Sequence, residues 1–364
     1  MRRRRQLRSD RIRASQNRQF KVASMLKLSF SLFLGAFIVA GSVLCSPATA
    51  QTIPEYSASS VIQLAPIGSS EKTPVISSLA LDPTGRLLSA VGDDHIVRLF
   101  DVQTGRLLHR FDSHVDWVHS SVFRPDGRIL ATSGADGCIR LWTMESEYRP
   151  QIVGKQLPVI FSLAFSPNGR MLAAAGFDDK VWLFDSERGR LARELDAPGR
   201  DIRALSFSPD GTRLAAAGRS GLLRVWEAAS GRQISDAKIS ARRIWALQYS
   251  PDGKRLAAAG EDRSVYLLDA ATGETSAVLS ERPGIVLTLC FCGPDKLATA
   301  GSSNVIRLWD LSTHNELYRL VGHTGSITTL GFETGSKTLI SGGYDTTVRL
   351  WNLTNRDVEH VTRR

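Results

Sequence analysis

The chain is poor in the residue types that build most catalytic and metal-binding sites. It has 364 residues, of which 7 are His and 4 are Cys. Outside the first fifty residues the cysteines are Cys138, Cys290 and Cys292, an odd number whose spacings fit neither a disulfide framework nor a C-x-x-C zinc site. We interpret Cys290 and Cys292 as small packing residues on one strand, and we expect no metal and no cofactor.

Motifs of the common catalytic and nucleotide-binding sites are also missing. The sequence has no G-x-S-x-G turn, and His119 beside Asp116 has no nucleophile at a fixed offset. Residues 335–338 read Gly-Ser-Lys-Thr, but they lack the G-x-x-x-x-G-K-[ST] spacing and precede a strand pattern, whereas a phosphate loop precedes a helix. These absences predict no catalytic residue and a protein that is not an enzyme.

One long apolar run is present, near the N-terminus. Residues 1–24 hold nine Lys and Arg against one Asp, residues 28–44 are uncharged and apolar, and small residues follow up to Ala50. This order predicts a signal peptide, residues 1–50, cleaved after Ala50, and hence a periplasmic or extracellular protein. The alternative is a membrane anchor formed by residues 28–44, which is short for a span of about 20 residues. Met25 is an alternative initiator, since a start there gives a leader of ordinary proportions.

Outside that leader the charges balance. The whole chain carries a formal net charge of +10. Residues 1–50 hold ten basic residues and one acidic residue, which leaves 36 basic and 35 acidic residues in 51–364. The remainder therefore lacks the basic excess that is typical of proteins that bind nucleic acid. We predict no nucleic-acid partner, and contact with a membrane through an uncleaved N-terminal segment alone.

The rest of the chain consists of repeats about 42 residues long. The last one, residues 322–352, contains three short runs in which apolar and polar residues alternate, each bounded by Gly, Asp or Ser. Alternation of this kind between turn residues is typical of β-strands. The equivalent large apolar residue recurs at steps of 42, with a single step of 41, at Phe100, Trp142, Phe184, Trp226, Leu268, Trp309 and Trp351.

The turn before the second strand of each repeat recurs in the same phase. Five repeats carry Pro-x-Gly there, beginning at Pro83, Pro125, Pro167, Pro209 and Pro251. Proline fixes φ early in such a turn and glycine accepts a positive φ later, so one turn is rebuilt in each repeat. Seven all-β repeats of this length predict a seven-bladed β-propeller with four-stranded antiparallel blades.

Two repeats also share a set of four polar and aromatic residues. These sets are His114, Thr132, Asp136 and Trp142, and His323, Ser341, Asp345 and Trp351. In these residues the sequence resembles the WD40 repeat family over about residues 61–353, and its leader resembles that of an exported, bacterial-type member. The resemblance implies that each set forms a buried structural tetrad. The other repeats lack the His, and their blades must close by other means.

The ends of the repeat region predict how the propeller closes. We interpret residues 51–60 as a linker, 61–355 as the propeller and 356–364 as a C-terminal tail. A ring of blades has exposed strand edges only where the two chain ends meet. The prediction is that Val61–Leu64 pairs with Thr347–Trp351 and completes the last blade. The alternative closing strand is Val358–Val361.

Two columns of the aligned repeats vary most and therefore indicate where specificity lies. They are the residue after the first apolar position of the first strand, and the residue that precedes the Asp of the following turn. In propellers that resemble this one, both columns approach a face that docks partners, and exposed aromatic and Arg residues are typical of interface centres. The candidate partner-binding residues on this face are Phe161, Phe177, Arg203, Arg219, Arg243 and Trp245. The alternative is that the aromatic rings plug the central channel and the arginines form a solvated rim.

The function predicted from these observations is a non-catalytic scaffold, exported and monomeric, that binds an unidentified protein or peptide. The alternative is an exported propeller enzyme or small-ligand sensor that acts at the mouth of the channel. The fold alone does not choose between them, because one scaffold hosts many roles.

Overall fold

The computed structural model describes residues 53–65, 73–145, 149–279 and 283–354. Their regular secondary structure consists entirely of β-strands, 29 in number, arranged in seven sheets. The prediction of an all-β, seven-bladed propeller is therefore confirmed. The tail at 356–364, the closing strand proposed there and the leader lie outside the described residues.

Each of the first four blades takes four consecutive strands. The chain begins with β1 (Glu55–Tyr56) and β2 (Ser60–Gln63), which join later blades. The strands of blades 1 and 2 are β3 (Ile76–Leu81), β4 (Leu87–Gly92), β5 (Val97–Asp101), β6 (Leu107–Phe111), β7 (Val118–Phe123), β8 (Ile129–Gly134), β9 (Ile139–Thr143) and β10 (Pro150–Gly154). The strands of blades 3 and 4 are β11 (Ile160–Phe165), β12 (Met171–Gly176), β13 (Lys180–Asp185), β14 (Arg190–Asp196), β15 (Ile202–Phe207), β16 (Arg213–Gly218), β17 (Leu222–Glu227) and β18 (Gln233–Lys238).

The last three blades continue the pattern, and two of them recruit the N-terminal strands. The strands of blade 5 are β19 (Ile244–Tyr249), β20 (Arg255–Gly260), β21 (Val265–Asp269) and β22 (Thr275–Leu279). Those of blades 6 and 7 are β23 (Val286–Phe291), β24 (Lys296–Gly301), β25 (Ile306–Asp310), β26 (Glu316–Leu320), β27 (Ile327–Glu333), β28 (Thr338–Gly343) and β29 (Thr347–Asn352).

The first strand of every blade lies innermost and contacts the first strands of both neighbouring blades. The series closes on itself, because β27 of blade 7 contacts β3 of blade 1. Side chains bond across these contacts: the amide of Tyr249 donates to Ser206 Oγ at 3.0 Å, and the amide of Phe291 donates to Gln248 Oε1 at 2.9 Å. Hydrogen bonds as well as apolar packing therefore fix each blade against the next.

The core lies between consecutive blades. Ala217 and Leu223 of blade 4, for example, pack in one cluster with Ile244 and Leu247 of blade 5. The second strands are rich in small residues that are fully buried, such as Ala216. A small residue on one sheet leaves room for a large residue on the next, which is how two sheets reach the packing density of a protein interior.

The N-terminal strand β2 closes the ring, so the predicted pairing is confirmed. Its residues pair antiparallel with β29, with Val61 opposite Arg349 and Ile62 opposite Val348. The side chain of Ile62 is buried in the core between blades 7 and 1, whereas Val61 is 48% exposed. The strand therefore carries one buried face, which sets its register.

Blade 6 departs from the prediction, because it has five strands. The short strand β1 pairs parallel with β26, so part of the segment interpreted as a linker belongs to the sheet. The amide of Val321 donates to the Tyr56 carbonyl at 2.8 Å, and the rings of Tyr56 and Tyr318 pack edge to face with centroids 5.4 Å apart. A strand of two residues is too short to show alternation in the sequence. Its partner strand, which contains Tyr318, lies far along the chain.

Candidate functional site

A β-bulge near the start of each innermost strand determines what faces the central channel. In blade 3, Ile160 pairs with Gly176 and Ser162 pairs with Ala175, so Phe161 has no partner in the ladder. The same irregularity recurs in all seven blades. The residues left out of the ladder are Ser77, His119, Phe161, Arg203, Trp245, Leu287 and Thr328.

The bulge requires the glycine that ends each second strand. A Cβ on Gly176 would lie 1.8 Å from the carbonyl oxygen of Val159, and one on Gly260 would lie 1.9 Å from that of Arg243. Only glycine fits at this distance, because a Cβ would overlap the carbonyl oxygen. The first and second strands can therefore approach closely where the bulge forms. The first of the two variable columns of the repeats is thus the column of bulge residues.

These seven side chains line one cavity of about 630 Å³, which we call the funnel, at the end of the propeller where the first strands begin. Four residues of the adjoining segments complete its wall, namely Val75, Asp93, Trp117 and Tyr344. We call this end of the propeller the funnel face. It comprises the cavity wall, the loops between successive blades and the loops between second and third strands. The side chains of Trp117 and Tyr344 are 45% and 55% exposed at its rim.

Arg203 lies at the centre of a stack of aromatic rings. Its Cζ is 3.4 Å from the ring centroid of Phe161 and 4.8 Å from that of Trp245. A guanidinium between two ring faces gains cation–π attraction and keeps its N–H edge free for hydrogen bonds. The Arg203 Nε donates to Asp201 Oδ1 at 2.5 Å, which fixes the orientation of the group.

A buried carboxylate links the arginines of blades 4 and 5. Asp201 is 2% exposed and has a φ of 63°, an unusual backbone conformation for a residue other than glycine. It accepts from Arg203 and also from Arg243, at 2.9 Å, while Arg243 donates at 3.0 Å to Glu261. The Cζ of Arg243 lies 4.9 Å from the Trp245 ring. Two positive and two negative side chains thus form one rigid network.

The histidine in the funnel is uncharged at neutral pH. Burial, and to a smaller extent the charge of Arg203, lowers the pKa of His119 from 6.5 to about 4. Its ring packs at 4.8 Å from that of Phe161 and at 6.0 Å from that of Trp117. With no nucleophile beside it, His119 acts here as an aromatic packing group between two larger rings.

The structure brings some of the predicted face residues together and separates others. Phe161, Arg203, Trp245 and Arg243 form one contiguous group. Phe177 and Arg219 are exposed on loops between second and third strands, and neither lines the cavity.

Sequence comparison passed over three residues that belong to the face. They are Trp117, Asp201 and Tyr344, which lie in the cavity wall or bind the arginines. Trp117 and Asp201 share the column that immediately precedes the first strand, and that column also contains Arg243. Its variation between repeats could have identified Trp117 and Asp201, whereas Tyr344 already stands in the second variable column, before the turn Asp.

The two residue sets shared by repeats form hydrogen-bonded tetrads. In blade 7, Trp351 Nε1 donates to Ser341 Oγ at 2.9 Å, and His323 contacts Ser341 Oγ through Nε2 at 2.7 Å and Asp345 Oδ2 through Nδ1 at 2.8 Å.

In blade 2, the corresponding distances are 2.9 Å from Trp142 Nε1 to Thr132, 2.8 Å from His114 Nε2 to Thr132, and 2.9 Å from His114 Nδ1 to Asp136. Since the carboxylate accepts only, Nδ1 carries the histidine proton, Nε2 accepts from the hydroxyl, and the hydroxyl oxygen accepts from the indole.

Burial decides the charge state of the tetrads. It lowers the pKa of both His114 and His323 below 6.5 and outweighs the attraction of their Asp partners. Burial by itself would raise the pKa of Asp136, but the hydrogen bond from His114 and the charge of Arg140 hold it well below 3.8. Each tetrad therefore contains a neutral imidazole beside a carboxylate.

Blades without the tetrad His satisfy the turn Asp in other ways. In blade 5, Asp262 accepts from the hydroxyls of Ser240 and of Tyr266, the latter at 2.7 Å. In blade 1, Arg98 binds Asp94 at two points, 3.1 and 2.5 Å. A buried carboxylate needs donors, and these blades supply them from hydroxyls or a guanidinium.

The other titratable groups of the described residues form no metal-ligating cluster. In the part of the chain that the structure describes, no group of three or more His, Cys, Asp and Glu residues is placed to hold a metal ion. Burial raises the pKa of the Cys290 thiol to about 12, so it stays protonated. Across the same residues no helix has the length and apolar character needed to cross a membrane.

Comparison with known proteins gives short matches. Over 60 residues the chain is 38% identical to the U3 snoRNP-associated protein-like EMB2271 of Arabidopsis thaliana, which covers 16% of this chain and 12% of that protein. It is 38% identical over 69 residues to the ribosome biogenesis protein YTM1 of Eremothecium gossypii, covering 19% and 15%, and 33% identical over 82 residues to mouse pre-mRNA-processing factor 19, covering 22% and 16%. The chain thus spans less than a fifth of the length of each of these relatives.

A family model matches far more of the chain. The model described as WD domain, G-beta repeat matches residues 65–101, 105–143, 150–185, 189–227, 237–269 and 314–352. The stretch from 270 to 313, which this model leaves unmatched, holds most of blade 6, where Ser303 stands at the position of the tetrad Asp. More than half of the chain is matched, and most matches join the outer strand of one blade to the first three strands of the next, as 105–143 does with β6 and β7 to β9. The chain therefore belongs to the WD40 repeat family.

Proposed function

We propose that this protein is a non-catalytic scaffold that docks a protein or peptide on its funnel face. One observation carries the proposal, namely the position of its exposed large apolar residues. Within the described residues, those that do not lie on the outermost strands are Val115, Trp117, Phe177 and Tyr344, and all four lie on loops of the funnel face. Exposed apolar residues gathered at one end of a molecule are typical of an interaction site.

The names of two relatives support an assembly role. One is called U3 snoRNP-associated protein-like and another ribosome biogenesis protein YTM1. We infer by analogy that this chain also works as a subunit or adaptor that contributes binding surfaces. We propose that it is a monomer before it binds its partner.

We also propose that the protein is an exported, bacterial-type member of the family, released by cleavage after Ala50, with anchoring by residues 28–44 as the alternative. The order of basic, apolar and small residues in 1–50 supports this. N-terminal sequencing of protein from the exported fraction tests it. A mature chain that begins at Gln51 is the expected result, and a cytoplasmic protein that retains residues 1–50 would contradict it.

The docking proposal is tested by affinity capture. The triple variant R203Q/R243Q/W245A is compared with the parent chain, and its thermal unfolding is measured to show that it folds. We expect the parent to retain a partner that the triple variant loses. A substitution on an outermost strand, far from the funnel, serves as a control. V278S on β22 is one such substitution and should leave capture unchanged. Equal capture by all three would contradict docking on the funnel face.

A small-ligand sensor is the second candidate, because the cavity volume of about 630 Å³ lies within the range of small-molecule sites. Its wall of aromatic rings around one guanidinium would suit a planar anion. Binding of a small molecule that survives saturation with a captured protein partner would favour this candidate over the scaffold.

A further inference from the structure

The funnel face is divided by charge. On the loops of blades 4 and 5 lie four exposed arginines that form no ion pair within the described residues: Arg200, Arg219, Arg242 and Arg263. The wall and loops of blades 1 to 3 instead carry the acidic residues Asp93, Asp116 and Asp179, which outnumber the exposed Lys155 there. A ligand that covers the face therefore meets positive charge on one side and negative charge on the other.

Arg203 extends the positive side into the cavity. Its Nε is bound by Asp201, but no hydrogen bond occupies either of its terminal nitrogens in the described structure. The rings of Phe161 and Trp245 lie 3.4 and 4.8 Å from its Cζ, and the edge that carries the two terminal nitrogens is left for a ligand. This edge donates two parallel hydrogen bonds, the geometry that a carboxylate accepts.

Arg243, the other arginine of the network, differs from Arg203 because its terminal nitrogens are occupied. Arg243 donates from both terminal nitrogens, to Asp201 and to Glu261, so its terminal edge is engaged, while its buried Nε finds no acceptor among the described residues. His119 is neutral at physiological pH and adds no positive charge. The charge available to a ligand in the funnel is thus that of Arg203, with the four outer arginines around it.

We propose that the funnel face binds an acidic peptide segment, in which one Asp or Glu carboxylate accepts from the free edge of Arg203. Further carboxylates of the same segment lie against the outer arginines of blades 4 and 5. This inference rests on the proposed scaffold function and names the chemistry of its partner. An acidic peptide is favoured over a nucleic acid because a peptide can confine its carboxylates to the arginine side. A phosphodiester chain carries a charge at every residue, so where it crosses the face Asp93, Asp116 and Asp179 repel it.

The test uses the full chain and a fluorescein-labelled octapeptide of six glutamates and two phenylalanines. Its counterpart contains glutamine in place of each glutamate, and binding is followed by fluorescence anisotropy. We expect the glutamate peptide to bind at least about tenfold more tightly than the glutamine peptide at low salt, and the difference to shrink as salt screens the charges.

Arginine variants locate the binding. R203Q should weaken the glutamate peptide about tenfold, and R203K should restore only part of the affinity, since an ammonium lacks the two-point geometry. The double variant R219Q/R263Q changes exposed side chains only, so it tests the outer cluster without risk to folding. Its matched control, R86Q/R128Q, removes two exposed arginines from the opposite end of the propeller and should bind like the parent.

Three results would overturn the proposal. They are an absence of binding up to about 1 mM peptide, equal binding of the glutamate and glutamine peptides, and tighter binding of a labelled oligouridylate than of the glutamate peptide. The two proposals fail separately. If capture still yields a partner that R203Q/R243Q/W245A loses, but the glutamate peptide does not displace it, docking stands and its acidic chemistry is wrong.

Discussion

At the scale of single residues, one repeat position packs the fold and another is free to specialise. Trp351 is fully buried and bonded within its tetrad, whereas the bulge residue of the same blade, Thr328, faces the funnel. The first kind of residue is fixed by packing between blades. The second kind has no partner in the strand pairing, so its side chain can vary without changing that pairing. Arg203 and Trp245 occupy this position in blades 4 and 5.

Removing a tetrad indole should destabilise the protein more than removing an exposed one. W351F deletes the donor to Ser341 and leaves a gap in the core, so we expect a loss of about 2–4 kcal/mol in the free energy of unfolding. W117F, at a 45% exposed position, should change it by less than about 0.5 kcal/mol. Urea unfolding measures both, and similar losses for the two variants would contradict a structural role of the tetrad.

The tetrad histidines should make stability depend on pH. Burial lowers the pKa of His323 below 6.5, so below that pH the unfolded chain binds a proton that the folded chain does not. The contribution of each such histidine to the free energy of unfolding is therefore fully present above about pH 6.5. It falls on acidification by up to about 1.4 kcal/mol per pH unit.

The variant H323Q should reduce this slope between pH 6.5 and 5 by the share of one histidine, since His114 and His119 remain, while H314Q, which changes an exposed histidine, should leave the slope intact. Unfolding free energies measured across this range provide the check. A slope that H323Q leaves unchanged would show that His323 is not the group that titrates.

At the scale of elements, the decisive feature is that β2 comes from the opposite end of the chain to its sheet. It provides the outer strand of blade 7 and buries Ile62 between blades 7 and 1. Closure thus depends on a strand of four residues. Blade 6 gains β1 in the same way, although that strand is parallel and shorter.

Truncation of the buried side chain of β2 should weaken the ring. I62A removes a side chain that is 8% exposed, and we expect a loss of about 2–4 kcal/mol in the free energy of unfolding. V61A changes the adjacent, exposed residue of the same strand and should cost less than about 0.5 kcal/mol. Equal midpoints of thermal unfolding for the two variants would contradict closure through Ile62.

At the scale of the whole molecule, the blades form a closed ring in which each packs against two others. Since β27 contacts β3, no blade has a free side. This arrangement differs from an open array of repeats, where terminal units unfold first. A ring that opens at one interface exposes the core of both adjoining blades.

We therefore expect a single unfolding transition. Tryptophan fluorescence, which reports on blades 2 to 7, and circular dichroism should give the same midpoint in urea, and I62A should move both midpoints together. Two separate transitions, or a shift of one probe alone, would show that blades unfold independently.

Much of the fold could be predicted from the sequence, and less of the site. The spacing of Trp142, Trp226 and Trp351 determined the number of blades, because equal wedges need equal repeats. The strand Glu55–Tyr56 could not be found, since two residues carry no period. Asp201 was missed because its role depends on Arg203 and Arg243, and no local pattern shows that one buried carboxylate serves two blades.

By itself the sequence determined that the chain forms small antiparallel sheets, how many there are, and which column varies between them, because alternation, turn residues and repeat length are local properties. Only the tertiary structure decided that Arg203 lies between Phe161 and Trp245 with its edge free, and that the exposed arginines gather beside it. Contacts between blades join residues about 42 positions apart, and their geometry depends on the bulge and on the closure of the ring. A sequence read along one strand at a time contains neither.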